Sequence, residues 1–155
     1  MTSKERVLER ERNRGRLAAL ELQKRAPDMS GTEIINEEDK IPAFDPQKDY
    51  SAWAVGLPVV DEEQVWLLLQ PHNAAHYGGR PSELRSLWGL AHTKDPAKAK
   101  AWVAPYGTSG LYMVDECCTY PVDGATHVFR NKHDNNEYPP LTLNVEDRWE
   151  DLGEV

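Results

Sequence analysis

Two stretches of this chain, each roughly forty residues, run through the same order of events: strand, tight turn, strand, long loop, closing tryptophan. Val65-Trp66 recurs as Val128-Phe129, and His72-Asn73 recurs at the same offset as Asn135-Asn136. Tyr77 followed by Pro81 recurs as Tyr138 followed by Pro139, and Trp88 recurs at a slightly shorter offset as Trp149. Such a duplication divides 155 residues into pieces too small for large cores, and it argues against a large α/β enzyme. The 11 prolines and 10 glycines point the same way, toward turns and short strands.

The first unit spans residues 50–90. Trp53, Val55, Leu57 and Val59 alternate as a strand would, Asp61-Glu62-Glu63 turns, and Val65–Leu69 is an apolar strand. Pro71 and Gly78-Gly79 mark a loop, which Leu84, Leu87 and Trp88 close. The second unit spans residues 110–155. Tyr112 to Thr119 lead into the turn Val122-Asp123-Gly124, Thr126–Arg130 forms a strand, and a loop with Pro139-Pro140 runs on to Trp149. Trp88 and Trp149 each close their unit and are expected in small cores. Residues 91–109 connect the units, with a short helical turn expected between Asp95 and Lys100. The fold expected is mainly β, two small tandem antiparallel units behind an N-terminal α-helix.

That helix occupies residues 1–26. Thr2 and Glu5 have the capping-box spacing, and the run from Lys4 to Arg25 contains no proline. Its apolar stripe of Val7, Leu8, Leu17, Leu20 and Leu22 is thin and interrupted by Gly15, so alone it is marginal. Three roles compete for it: a solvated helix, a helix that docks on other chains, and a nucleic-acid contact. Residues 27–49, with Pro27, Pro42, Pro46 and the acidic cluster Glu37–Asp39, read as a linker.

Charge is divided unequally between these parts. Residues 1–26 carry eight Lys/Arg against four Glu, whereas the rest of the chain carries ten against 22 acidic groups. A body at −12 repels phosphate backbones, and Glu5, Glu9 and Glu11 dilute the field of the helix, so no nucleic-acid partner is expected. The longest apolar run, Val65–Leu69, is far short of the ~20 residues of a membrane-spanning helix, and no secretory signal is evident in residues 1–26. Cys117 and Cys118 are adjacent, which makes a bond between them strained. Two free thiols are expected, in a protein folded in a reducing cytoplasm.

The stretch Trp53-Ala-Val-Gly56-Leu-Pro-Val59, then Val65-Trp66-Leu-Leu-Leu-Gln70-Pro71-His72, then Tyr77, Pro81 and Leu87-Trp88, resembles the small chitin- and cellulose-binding modules of bacterial chitinases. The resemblance covers nearly all of the first unit. The second unit keeps Asp123-Gly124, Phe129, Asn136, Tyr138 and Trp149, but lacks Gln-Pro-His and has Asp115 where the first has Gly56. The whole layout also resembles short proteins encoded near the tail genes of phages and prophages of Gram-positive bacteria. Lys48-Asp49-Tyr50, the segment from Ala91 to Pro96 and the segment from Tyr106 to Gly110 carry this second resemblance. Together they imply a virion protein held by its helix to other virion proteins, self-associating, with tandem modules facing a cell-surface polysaccharide.

Sugar binding needs exposed rings that stack on the apolar face of a pyranose, with amides at the rim of hydroxyls. Tyr77, in a glycine-rich loop, is the leading stacking candidate; it is weighed against a subunit contact and simple loop packing. Tyr138 is its counterpart. Trp53 and Trp66 are candidate neighbours on the same face, each weighed against core packing, with Trp66 inside an apolar strand, and Gln70 and Asn73 are rim candidates. His72 and His76 stand four apart, but beside Pro71 and Gly78-Gly79 they belong to a loop, and no histidine or cysteine has a recognised ligand spacing. The pairs Glu62-Glu63 and Glu146-Asp147 fall in turns, and neither cysteine has an evident base. No metal, no cofactor and no catalytic activity are expected.

Overall fold

The structure, a computed structural model, describes all 155 residues. Helix α1 runs Ser3–Arg25, opened by Thr2 and Glu5 in a reciprocal capping box. A 3-10 turn at Ala26–Asp28 leads to α2, Gly31–Asn36, whose cap Ser30 and Glu33 repeat that device. The first sheet contains β1 (Pro58–Asp61), β2 (Gln64–Leu68) and β3 (Trp88–Leu90); the second contains β4 (Lys100–Ala101), β5 (Cys117–Val122), β6 (Ala125–Asn131) and β7 (Trp149–Glu154). The strand orders are β1-β2-β3 and β4-β5-β6-β7. All pairings are antiparallel except the short β4–β5 contact, which is parallel. The chain is thus mainly β with an N-terminal helix.

The two units share their construction. Each begins with a two-residue hairpin in which both turn residues have positive φ, Glu62-Glu63 (51° and 62°) and Asp123-Gly124 (49° and 84°). That is the twist a tight hairpin needs. Each ends on a buried tryptophan that meets a buried tyrosine edge-on: Trp88 with Tyr50 at 5.2 Å, and Trp149 with Tyr112 at 5.1 Å. In each, an asparagine forms a bridge to the segment before the hairpin (Asn73 to Asp49, Asn136 to Tyr112), and its Oδ1 accepts the amide two residues on. The copies lie slightly further apart at these asparagines than at the hairpin turns, because β6 is longer than β2.

Residues 27–49 are not a linker. Leu22, Ala26, Ile34, Ile35 and Ile41 pack with Leu57, Val65 and Ala91 in one buried cluster. Along β2, Val65 and Leu67 face this cluster, while Trp66 and Leu68 face a second one built on Tyr50, Val59, Leu87 and Trp88. The first sheet is therefore covered on both faces, which is why β2 is apolar from Val65 to Leu68 instead of alternating. Polar bonds tie the same segment to the connector. Thr32 Oγ1 accepts from Lys94 N at 2.9 Å, and the Lys100 ammonium reaches the Glu38 carboxylate. The Arg25 guanidinium and the Lys40 ammonium, both at 2.9 Å, hold the Glu37 carboxyl down to about 2.

The strand expected from Trp53 onward is confined to Pro58–Asp61, because Gly56 takes φ +95° and residues 53–57 turn. The helical turn expected after Asp95 is present at Pro96–Lys98, with Asp95 as its cap. Both cysteines are free, as expected, and both are buried. Cys118 points into the Tyr112–Phe129–Trp149 core, and Cys117 lies under the carbonyl of Lys94, since the connector covers the other face of β5. Burial pushes both thiols above their ordinary range. The units are joined side by side: Arg85 donates to the carbonyl of Ala104 at 2.8 Å with its guanidinium over the Trp66 ring, and Gln64 donates to the carbonyl of Ala101 at 2.9 Å.

Candidate functional site

Tyr77 closes the 3-10 turn Ala74–His76, which Asn73 caps through its side chain. The turn is set by residues 72–74 pairing with residues 48–50, through Tyr50 N to His72 O at 2.7 Å and Ala74 N to Lys48 O at 3.0 Å. This leaves Tyr77 52% exposed while its ring meets His72 edge-to-face, centroids 5.3 Å apart and planes at 90°. His72 is buried and fixed in turn: its Nδ1–H donates to the Gln70 carbonyl at 2.7 Å, and its ring meets Trp88 edge-on.

Trp53 comes to the same face through Tyr50. The rings of Trp53, Tyr50, His72 and Tyr77 form a continuous series, with neighbouring centroids 4.7, 6.1 and 5.3 Å apart. The two middle rings are buried and the two end rings reach the surface. One face of Trp53 is occupied by the Lys48 ammonium, 4.9 Å from the ring centroid. Of the open rings on this face, Tyr77 is thus the one offered by more than half its surface. The turn that carries it is polar: Asn73 Nδ2 lies 3.4 Å from His76 Nε2, and Asp49, bridged to Asn73, accepts from Ser51 N and Oγ. Those bonds from Ser51, with the nearby His76 and His72, hold the Asp49 carboxyl below the usual carboxylate range. Gln70 is exposed, but its Nε2 is committed to the Ser86 carbonyl at 2.9 Å.

Trp66 does not belong to this face. It is 1% exposed, its Nε1–H donates to the Asp61 carbonyl, and its ring is covered by Arg85. The alternation of β2 puts it in the core, and the sequence reading of Trp66 as a sugar contact is corrected accordingly. Tyr138 lies in the second unit and is half-buried, with the Arg148 guanidinium 5.5 Å from its ring centroid. It lines a cavity of about 140 Å³ with Phe129, Leu141, Val145, Arg148 and Trp149. The two tyrosines are therefore presented differently, one on an open ledge and one as the wall of a hollow.

Tyr50 and His72, which orient Tyr77 from below, are not legible as a pair in the sequence, because their contact joins one end of the first unit to its middle. The Gln-Pro-His signal does mark one of them. His92 plays a comparable part in the second unit: it stacks on Tyr112 at 3.7 Å and its Nε2–H donates to the Gly110 carbonyl at 2.9 Å. Burial, with help from Arg85, pushes His92 down to about 4 and keeps it neutral. No group of three or more His, Cys, Asp or Glu side chains is gathered for a metal ion, and no helix is long and apolar enough to cross a membrane. No protein-family model, no curated protein and no solved structure matches this chain.

Proposed function

We propose that this chain is a noncatalytic protein of a bacteriophage particle, attached through its N-terminal helix and presenting tandem carbohydrate-binding units to glycans of the host surface. The observation that carries the proposal is Tyr77, 52% exposed on a capped turn, its ring braced edge-to-face by a buried histidine. A ring fixed in that way meets the apolar face of a pyranose without further ordering cost, and stacking contributes roughly 1–3 kcal/mol. Asn73 and His76, on the turn that carries the ring, are available for the hydroxyl rim. Affinity at one such ring is low, so copies gathered on a particle bind through their number.

The test is retention of the purified full-length chain on insoluble chitin, cellulose and Gram-positive cell walls, with Tyr77→Ala alongside. A loss of about 1–3 kcal/mol corresponds to a roughly 5- to 150-fold weaker hold, in a variant that still folds cooperatively because the residue is half in solvent. Absence of retention of the folded parent on all three supports would overturn the glycan half of the proposal. The chain would then stand as a structural decoration or joining protein that binds no sugar.

A further inference from the structure

The two ends of this fold are complementary to each other and do not meet within one molecule. Residues 1–17 are all exposed, and Leu22 is the one buried side chain of α1, so most of a helix about 34 Å long projects from the body. This arm carries six Lys/Arg against three Glu between Ser3 and Leu20. It also exposes Val7, Leu8, Leu17 and Leu20 to solvent. Gly15 weakens the helix from inside, and a Cβ at that position would meet nothing beyond the helix itself, so no packing offsets the loss.

The opposite character is concentrated in residues 134–155, which hold seven Asp/Glu against one Arg. Lys132 pairs with Asp147, and His127 and His133 stand beside Asp151 and Glu146, which leaves Asp134, Glu137, Glu150 and Glu154 without an ion-pair partner. The same segment exposes Leu141, Leu143, Leu152 and Val155, with Leu143 at 83% and Val155 at 80%. Its outer strand β7 pairs on one side only, with β6. A basic surface with exposed aliphatic side chains and an acidic surface with exposed aliphatic side chains thus lie on one chain. Acidic bodies repel one another unless a cation stands between them, and the arm supplies that cation together with apolar contact.

We infer that the arm of one copy docks on the acidic face of residues 134–155 of a second copy. The contact joins two different surfaces, so it is head-to-tail: repeated, it closes into a ring or extends as a filament. This rests on the attachment half of the proposed function and names its partner as the chain itself. It does not depend on sugar, so Tyr77→Ala leaves it unchanged and the two proposals fail separately.

The experiment is sedimentation of the full-length chain at low and high salt, with two charge-reversed variants. One carries Arg10→Glu with Arg14→Glu; the other carries Glu150→Lys with Glu154→Lys. All four positions are exposed, and equal unfolding temperatures confirm that each variant is folded. The parent is expected to sediment as a multiple of 17.6 kDa near 0.01 M salt and as 17.6 kDa near 1 M, where screening shortens from ~30 Å to ~3 Å. Each variant alone is expected at 17.6 kDa in both, and an equal mixture is expected to associate, since the unaltered arm of the face variant then meets the unaltered face of the arm variant. A parent that is monomeric at low salt overturns the inference. So does a face variant that still associates, which means that arm pairs with arm, and so does a mixture that stays dissociated.

Discussion

Gly31 opens α2 where that helix touches the connector between the units. A Cβ placed on it would lie 2.3 Å from the His92 carbonyl oxygen, 3.2 Å from His92 N and 3.3 Å from its carbonyl carbon. The nearest of these is about 1 Å inside normal contact, and the obstacle is backbone, so Gly31→Ala forces α2 away from residue 92. The shift loosens Ile34 and Ile35, both 1% exposed, and strains the Thr32 to Lys94 bond. Overpacking of this kind costs about 1–3 kcal/mol and the weakened bond about 1, against at most about 1 recovered from helix propensity. The net loss of about 1–3 kcal/mol lowers the unfolding temperature by about 2–10 °C for a chain of this size, measured by circular dichroism. A glycine in a flexible linker gives the opposite sign, because replacing it by alanine restricts the unfolded chain and stabilises by about 0.4–1 kcal/mol. An unchanged or raised midpoint would refute the packed structure of residues 27–41.

Two further expectations concern titration and turn geometry. His92 is held near 4 when folded and titrates near 6.5 when unfolded, so the unfolded chain binds the proton first as pH falls. Its contribution is complete above pH 6.5 and is lost as pH drops toward 4, about 3 kcal/mol in all. Denaturant titrations of the parent and His92→Phe between pH 7 and 4.5 should differ in slope, and parallel curves would show that His92 is not buried neutral. At the first hairpin, Glu62 and Glu63 both sit at positive φ, where Asn-Gly is favoured. The double substitution Glu62→Asn with Glu63→Gly should raise stability by about 1 kcal/mol or more, and a neutral or lower midpoint in urea would contradict the turn.

Both hairpin turns and both closing tryptophans are legible in the sequence because each is a local signal repeated in register. Residues 27–49 resemble a linker in their prolines and acids, while the contacts that order them lie far off in sequence, on Leu57, Val65 and Ala91. Two local signs point to the packed alternative: Ser30 with Glu33 repeats the capping spacing of Thr2 with Glu5, and Ile34-Ile35 needs a surface to cover it. The unalternating run of β2 is the third, since a strand apolar on both sides needs two covers. Trp66 sits in the core for the same reason. At the site, the glycine-rich loop marks Tyr77, but the Tyr50 and His72 beneath it depend on pairing between residues 48–50 and 72–74.

The direction of β4 has a mechanical consequence. It leaves the first unit and runs parallel to β5, and β7 also runs parallel to β5 two strands away, so β4 enters the sheet at the edge opposite to the one where β7 leaves. Tension that draws the first unit away from the far end of β7 loads this sheet along its strands. The Trp102 N to Thr119 O bond and its neighbours are then stretched together in shear instead of being unzipped one at a time. Force applied between the first unit and the far end of β7 would strain the seam in its strong direction, and the hairpin turns at Glu62-Glu63 and Asp123-Gly124 would carry little of it.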